Sequence, residues 1–266
     1  MDTPKFPIIF AGHGSPMNAI EDNTFSQTWA GLGQSLPRPK AILCISAHWQ
    51  TRGTQVTAME KPRTIYDFYG FPAELYRQKY PAPGSRELAQ RVQSLLGADA
   101  TGLDSEWGLD HGTWSVLLRM FPGADIPVVQ LSLDTNMPEA AHYELAKRLR
   151  PLREEGVLVI GSGNMVHNLG VINWAGQPYD WAVQTDAQLK TMIEQRDHTA
   201  IIRFPSSSRE ARLAVPTNEH FLPAVYILAL QETSEQFTFF NEDISLGSIG
   251  MRGFVSAAAG WGEAKP

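Results

Sequence analysis

The sequence predicts one α/β domain, a mostly parallel or mixed β-sheet with helices on both faces. Three observations carry this. Short runs rich in Val, Ile and Leu recur along the chain, as strands covered on both faces require. Segments of helical period lie between them, and that alternation is what a parallel sheet with crossover helices produces. No Pro/Gly/Ser-rich linker divides the 266 residues, so a single catalytic domain is expected over 1–266.

Strands are expected at 7–11, 41–47, 55–59, 127–131, 157–160, 237–241 and 253–258. A helix is expected at 24–36, and another at 86–96, where Ser85 follows Pro83-Gly84 and supplies the N-cap. The run PEAAHYELAKRLRPLREE (138–155) reads as a helix ending at Gly156, with Pro151 breaking or kinking it. Further helices are expected at 185–197 and 220–230.

Composition narrows the function. Net charge is −6 with no dense Lys/Arg stripe, which argues against nucleic acid as a partner. No apolar run approaches the roughly 20 residues of a membrane helix. The start, MDTPKFPIIFAGHG, lacks the features of a secretory signal, so a cytoplasmic protein is expected. The one cysteine, Cys44 in AILCIS, excludes an intrachain disulfide and a thiolate zinc cluster, and reads as a small core residue.

The seven histidines are not scattered. His13 follows the first strand, in AGHGSP. His48 follows the second, in CISAHW, and His167 the fifth, in VIGSGNMVHN. His111 precedes a helix in WGLDHGTW, and His220 opens one in PTNEHFLP. Sites in open α/β sheets form at the carboxyl ends of strands, so these five are expected to share one. His142 and His198, within or near the end of helices, are expected to be solvated or structural. Gly12 and Gly14 permit close backbone approach, and the expectation is a pocket where a metal and its ligands leave no room for a Cβ. Imidazoles and carboxylates without thiols suit Fe(II), Zn(II), Ni(II) or Cu(II). Few protein ligands leave positions for substrate, which marks a catalytic site.

Two other motifs point to no separate chemistry. Gly161-Ser162-Gly163 lacks the lysine and the third glycine of nucleotide loops, and reads as a turn that lets His167 reach inward. Neither Ser15 nor Ser162 sits in a Gly-x-Ser-x-Gly elbow.

HGSPMNAIEDN, SAHWQTRG, YDFYGFP, YPAPGS, WGLDHGTW, GSGNMVHNL and EHFLP occur in that order, spanning 7–257. Together they resemble the bacterial branch of the 4,5-DOPA extradiol dioxygenase family. These are class III extradiol ring-cleaving enzymes related to the catalytic subunit of protocatechuate 4,5-dioxygenase. The resemblance implies one divalent metal per chain on His13, His48 and a third ligand, Glu219 or His220. His220 is favoured, with Glu219 behind it. It implies His167 as acid/base, or a further ligand when zinc is bound, and His111 as a second pocket histidine donating a hydrogen bond to bound oxygen or substrate.

A DOPA-like catechol and O₂ would be the small-molecule partners and a muconic semialdehyde the product. Fe(II) is expected for activity, since zinc has no redox chemistry, and Zn(II) is expected in purified protein. Tyr66, Phe68, Tyr69 and Phe71 are expected to wall the substrate ring, with Ser15, Met17 and Trp114 nearby. Two rivals remain: a zinc hydrolase, in which bound water attacks, and a non-enzymatic ligand- or partner-binding protein on the same fold.

Overall fold

The computed structural model describes residues 5–256. In chain order the strands are β1 (Ile8–Gly12), β2 (Ala41–Thr51), β3 (Thr54–Thr57), β4 (Thr101–Asp104), β5 (Val128–Asp134), β6 (Val157–Gly163), β7 (Phe237–Phe240), β8 (Ile244–Ser245), β9 (Ile249–Gly250) and β10 (Gly253–Ser256). The helices are α1 (Thr24–Ser35), α2 (Ala73–Arg77), α3 (Arg86–Leu96), α4 (His111–Met120), α5 (Glu139–Lys147), α6 (Asp180–Glu194), α7 (His198–Arg203), α8 (Arg209–Ala214) and α9 (Leu222–Ala229).

Eight of these strands form one sheet in the order β4-β3-β5-β2-β6-β1-β10-β7, and β8 pairs with β9 apart from it. The middle is parallel: β5 with β2, β2 with β6, and β6 with β1. β10 and β7 add antiparallel edges, and β3 runs antiparallel to β5. A mostly parallel sheet with helices against it is therefore the architecture.

Alternation along β2 separates two cores. Leu43 and Ile45 enter one with Val129 and Val159, roofed by α5, α6 and α9. Ile42 and Cys44 enter the other with Ile160, Trp29 and Trp114. Period two sends neighbouring side chains to opposite faces, so strands apolar at every position need cover on both. Burial pushes the Cys44 thiol far up, and it accepts a hydrogen bond from Thr113 Oγ1 at 3.3 Å, as a core residue does.

Several bounds differ from the sequence reading. β2 continues past Ala47 to Thr51, because its pairing with β5 slips between Ile45 and Gln50 and then resumes. The helix expected at 138–155 stops at Lys147, and Arg150–Arg153 forms a 3₁₀ turn where Pro151 has no N–H to give. α6 begins at Asp180, ahead of the expected 185. Ala257 and Ala258 of the expected last strand lie outside the described residues. The edge strand β4 and the short helices α2, α7 and α8 carry too few apolar residues to stand out from loops. No helix among the described residues is long and apolar enough to cross a membrane.

α9 is buried on every side and lies against β6. Two glycines of β6 permit this approach. A Cβ on Gly161 would meet the Pro223 carbonyl oxygen at 2.5 Å, and one on Gly163 the His220 carbonyl oxygen at 2.2 Å. The Gly-Ser-Gly motif is thus strand rather than turn, and its glycines serve the segment that carries His220.

Candidate metal centre

The order β2-β6-β1 sets three parallel strands side by side, and their carboxyl ends converge. β1 delivers His13 directly after Gly12. β2 delivers His48 from inside its irregular stretch, not from beyond its end. His111 is the first residue of α4, whose N-cap Asp110 accepts from the Thr113 amide. His220 lies before α9 rather than opening it, anchored by the Asn164 amide donating to its carbonyl at 2.9 Å. His167 follows β6, held by its amide on the Ala214 carbonyl at 2.8 Å.

All five imidazoles meet. His13 ring centroids lie 5.0 Å from His48, 5.4 Å from His220 and 5.5 Å from His111. His48 and His111 are 4.0 Å apart, and His167 stacks on His220 at 3.6 Å. One donor atom from each of His13, His48 and His220 lies within 4.8 Å of the others.

The ring nitrogens on the far side assign the tautomers. Ser162 Oγ donates to the Gly112 carbonyl at 2.5 Å, so it accepts from His13 Nδ1 at 2.9 Å. His220 Nδ1 faces Glu219 Oε1 at 3.0 Å. Asp67 serves two rings, with Oδ2 3.1 Å from His48 Nδ1 and Oδ1 3.0 Å from His111 Nδ1; Oδ1 also accepts from the His111 amide at 2.9 Å. The Nδ1 atoms of His13 and His220 are thus engaged by hydrogen bonds and those of His48 and His111 lie against the Asp67 carboxylate, which leaves the Nε2 atoms of His13, His48 and His220 as the ones available to a metal.

The charges agree. Burial pushes the His13 and His220 pKa values well below the ordinary histidine range, and neighbouring imidazoles add to it. Burial opposes charge on His48 most strongly of any single influence, but Asp67, Asp110 and Glu219 together outweigh it and raise that pKa. Partial burial pushes the half-buried Asp67 up, yet His111 and His48 hold its carboxyl well below the carboxylate range. His13 Nε2 and His48 Nε2 are 3.1 Å apart. Two acceptors at that distance repel unless a proton or cation lies against them, so this donor set fits a divalent metal.

The space beside Gly12 and Gly14 is not taken by a metal site as expected. A Cβ on Gly12 would meet the Met251 carbonyl oxygen at 2.5 Å, and one on Gly14, whose φ is +58°, would collide with Met251 Sδ. Met251, not a metal and its ligands, leaves no room there. Nearer the centre, a Cβ on Gly112 would press on Ser46 Oγ at 2.6 Å and His48 Cδ2 at 3.0 Å.

The expected substrate wall is only partly assembled. Tyr69 is 92% exposed and turned to solvent. Phe71 packs edge-on against Phe68 at 5.4 Å, and Phe68 in turn packs edge-on against His111 at 5.5 Å, so Phe68 is the ring at the centre. Trp114 is core, its indole N–H donating to the Ile65 carbonyl at 2.7 Å. Tyr66 donates to the Gln78 carbonyl at 2.6 Å. Ser15 caps the turn Pro16–Ala19 by accepting from the Met17 amide, and Met17 packs beside that same core.

His142 is not solvated: it is fully buried, with Nδ1 3.0 Å from the Tyr226 hydroxyl. His198 opens α7 and bonds Tyr143 and Gln231. Asp67 and Asp110 were missed by sequence reasoning, and Ser162 was considered only as a nucleophile, not as the partner of His13 Nδ1. Asp67 had a signal: an acid inside the aromatic run YDFYGFP needs a partner for its charge. Asp110 had another, as a cap directly before a helix.

A family model described as the catalytic LigB subunit of aromatic ring-opening dioxygenase matches residues 7–246. The chain belongs to this family. Among its LigB-family relatives, a protein of Escherichia coli K12 named 4,5-DOPA dioxygenase extradiol is 46% identical over 257 residues, covering 94% of each chain. A Beta vulgaris protein of the same name is 42% identical, over 93% of this chain and 96% of that one. A crystal structure of an uncharacterised Escherichia coli K12 protein superposes with a TM-score of 0.84 at 42% identity, covering 95% of this chain and all of that one. As a LigB-family member the chain is an extradiol ring-cleaving dioxygenase.

Proposed function

We propose that the chain opens the ring of a DOPA-like catechol with O₂ to give a muconic semialdehyde, using Fe(II) on His13, His48 and His220. The observation that carries this is the convergence of these three imidazoles with their Nδ1 atoms engaged elsewhere. Bound there, Fe(II) supplies the redox chemistry and open positions through which catechol and O₂ are brought together. Glu219 then belongs behind His220, orienting it, rather than among the ligands.

The chain's own residues handle the protons. Burial lowers the His167 pKa to about 4, so at pH 7 the ring is a neutral base ready to accept a phenolic proton. Once protonated, it returns that proton as the ring opens. Such acid/base help contributes roughly 10² to 10⁴ in rate. His111 turns Nδ1 to Asp67, so its neutral ring offers Nε2 as an acceptor for a catechol hydroxyl. Donation from His111, the role expected from sequence, needs a second proton that burial and His48 disfavour. Phe68 beside His111 supports the substrate ring edge-on.

The test is anaerobic reconstitution of metal-free protein with Fe(II) or Zn(II), then L-DOPA and O₂. The expected result is O₂ uptake and the yellow semialdehyde with iron only. Turnover with zinc and no O₂ uptake would favour a hydrolase instead.

A further inference from the structure

Asp110 is a fully buried acid beside the metal centre that the ring chemistry does not use. Among the described residues, every hydrogen-bond partner of its carboxyl is a donor. Oδ1 accepts from Ser46 Oγ at 2.7 Å and from the Thr113 amide at 3.1 Å, and Oδ2 accepts from Gln130 Nε2 at 2.6 Å. The Asp110 amide donates to Gln130 Oε1 at 2.9 Å, which fixes the orientation of that side-chain amide. Ser46 Oγ accepts from the His48 amide at 3.3 Å, so its own proton goes to Asp110. With three donors against it and no acceptor, the group is bound as the carboxylate.

These contacts bear on His48 in two ways. The first is position. β2 pairs with β5 in register up to Ile45 and Leu131 and resumes at Gln50 and Leu133, so residues 46–49 stand opposite Ser132 alone. A bulge of this kind re-aims a side chain, and His48 lies inside it. Asp110, reaching in from the start of α4, ties Ser46 and the His48 amide to Gln130 of β5. The second is charge. The three donors are neutral, and no Lys or Arg pairs with Asp110 among the described residues. A buried carboxylate without an opposite charge is costly. The acid is close to the His48 ring: the point where a Cβ on Gly112 would sit is 3.0 Å from His48 Cδ2 and 3.3 Å from Asp110 Oδ1. Unlike Asp67 and Glu219, Asp110 touches no ring nitrogen, so it acts through the strand and through its field.

Building on the ring-opening reading, we propose that Asp110 is a positioning residue of that reaction. It holds the bulge of β2 that turns His48 to the metal, and it places a fixed negative charge behind three ligands that carry none. Such a charge favours the higher oxidation state of iron over the lower, which makes bound Fe(II) a readier electron donor to O₂. Capping α4 does not by itself require an acid, since Asn and Ser cap a helix as well as Asp does.

The test compares wild type with Asp110→Asn, Asp110→Ser, Ser46→Ala and the double variant Asp110→Asn with Gln130→Glu. Both single changes at 110 keep a capping side chain and remove the charge, so one serves if the other does not fold. The double variant restores a donor–acceptor pair between the two side chains and moves the charge to its neighbour. Ser46→Ala keeps the charge and cuts the tie to the His48 amide. Zn(II) affinity is read by competition with a coloured chelator, and the Fe(III)/Fe(II) potential on the iron-loaded protein. In the neutral variants Zn(II) binding is expected to weaken about tenfold. Their Fe(III)/Fe(II) balance is expected to move about tenfold toward Fe(II), a rise of about 59 mV. The double variant recovers most of both, and Ser46→Ala weakens Zn(II) binding at the wild-type potential. An unmoved potential in either neutral variant overturns the proposal, whatever the affinity does. So does an unchanged Zn(II) affinity in Ser46→Ala, or a double variant that regains stability without the wild-type potential. Ring opening of L-DOPA is followed separately. The expected shifts in a protein that opens no catechol keep Asp110 at the metal and remove the dioxygenase reading. Ring opening with an unmoved potential removes the role of Asp110 alone.

Discussion

His13 Nε2 and His48 Nε2 face each other at 3.1 Å, while Ser162 and Asp67 lie against their Nδ1 atoms. A cation between those lone pairs turns repulsion into coordination. His48→Ala removes one of them, so the variant should lose the rise in melting temperature that Zn(II) or Fe(II) gives the wild type. A wild type saturated a hundredfold above its Kd gains about 2.7 kcal/mol from the metal. Calorimetry with and without metal checks this, and an undiminished metal-induced shift in His48→Ala would remove His48 from the ligand set.

Asp67 orients two rings at once. Asp67→Asn keeps the shape but replaces a carboxylate facing two Nδ1–H groups with an amide. Metal affinity should fall about 10- to 100-fold, the usual effect of losing a partner behind a metal ligand. Competition against a coloured chelator reads it directly. An unchanged affinity would mean that the packing of His48 suffices to hold it.

Gly163 and Gly31 make opposite predictions for one substitution. Gly163→Ala drives a methyl into the His220 carbonyl, so it should cost about 1–3 kcal/mol and weaken metal binding with it. Gly31→Ala lies in α1 with nothing within 4 Å, and should stabilise by about 0.5–1 kcal/mol. Urea unfolding of both variants gives the comparison. A harmless Gly163→Ala would contradict the close approach of the α9 segment to β6.

Buried neutral histidines make the protein acid-sensitive. Burial lowers the folded-state pKa of His142 and His198 below the ordinary value near 6.5. Above that value both the folded and unfolded chains are neutral, and stability is complete. As pH falls below it, the unfolded chain takes up protons first, so stability declines until the folded-state pKa is passed. Metal-free His142→Gln should therefore lose less stability than wild type between pH 7 and pH 5. Equal losses by urea titration would show that His142 already carries its charge when folded.

Much of the site was legible because its pieces lie where a parallel sheet ends. The apolar runs fix which segments are strands, and the residues after them, His13 and His48, are then forced toward one crevice. His167 and His220 could be placed beside them through the order of motifs. Asp67 and the role of Ser162 could not. Each acts through a contact made across the chain, with Asp67 joining a loop to β2 and α4, and Ser162 joining β6 to His13.

By itself the sequence determined a doubly covered sheet, five histidines at one edge of it and a thiol-free donor set, because hydrophobic period and residue type are local properties. The tertiary structure decided which nitrogen of each ring faces inward, that Tyr69 stands in solvent while Phe68 meets His111, and that Met251 fills the space beside Gly12 and Gly14. Those outcomes depend on distances of a few ångströms between segments far apart in the chain, which only packing sets.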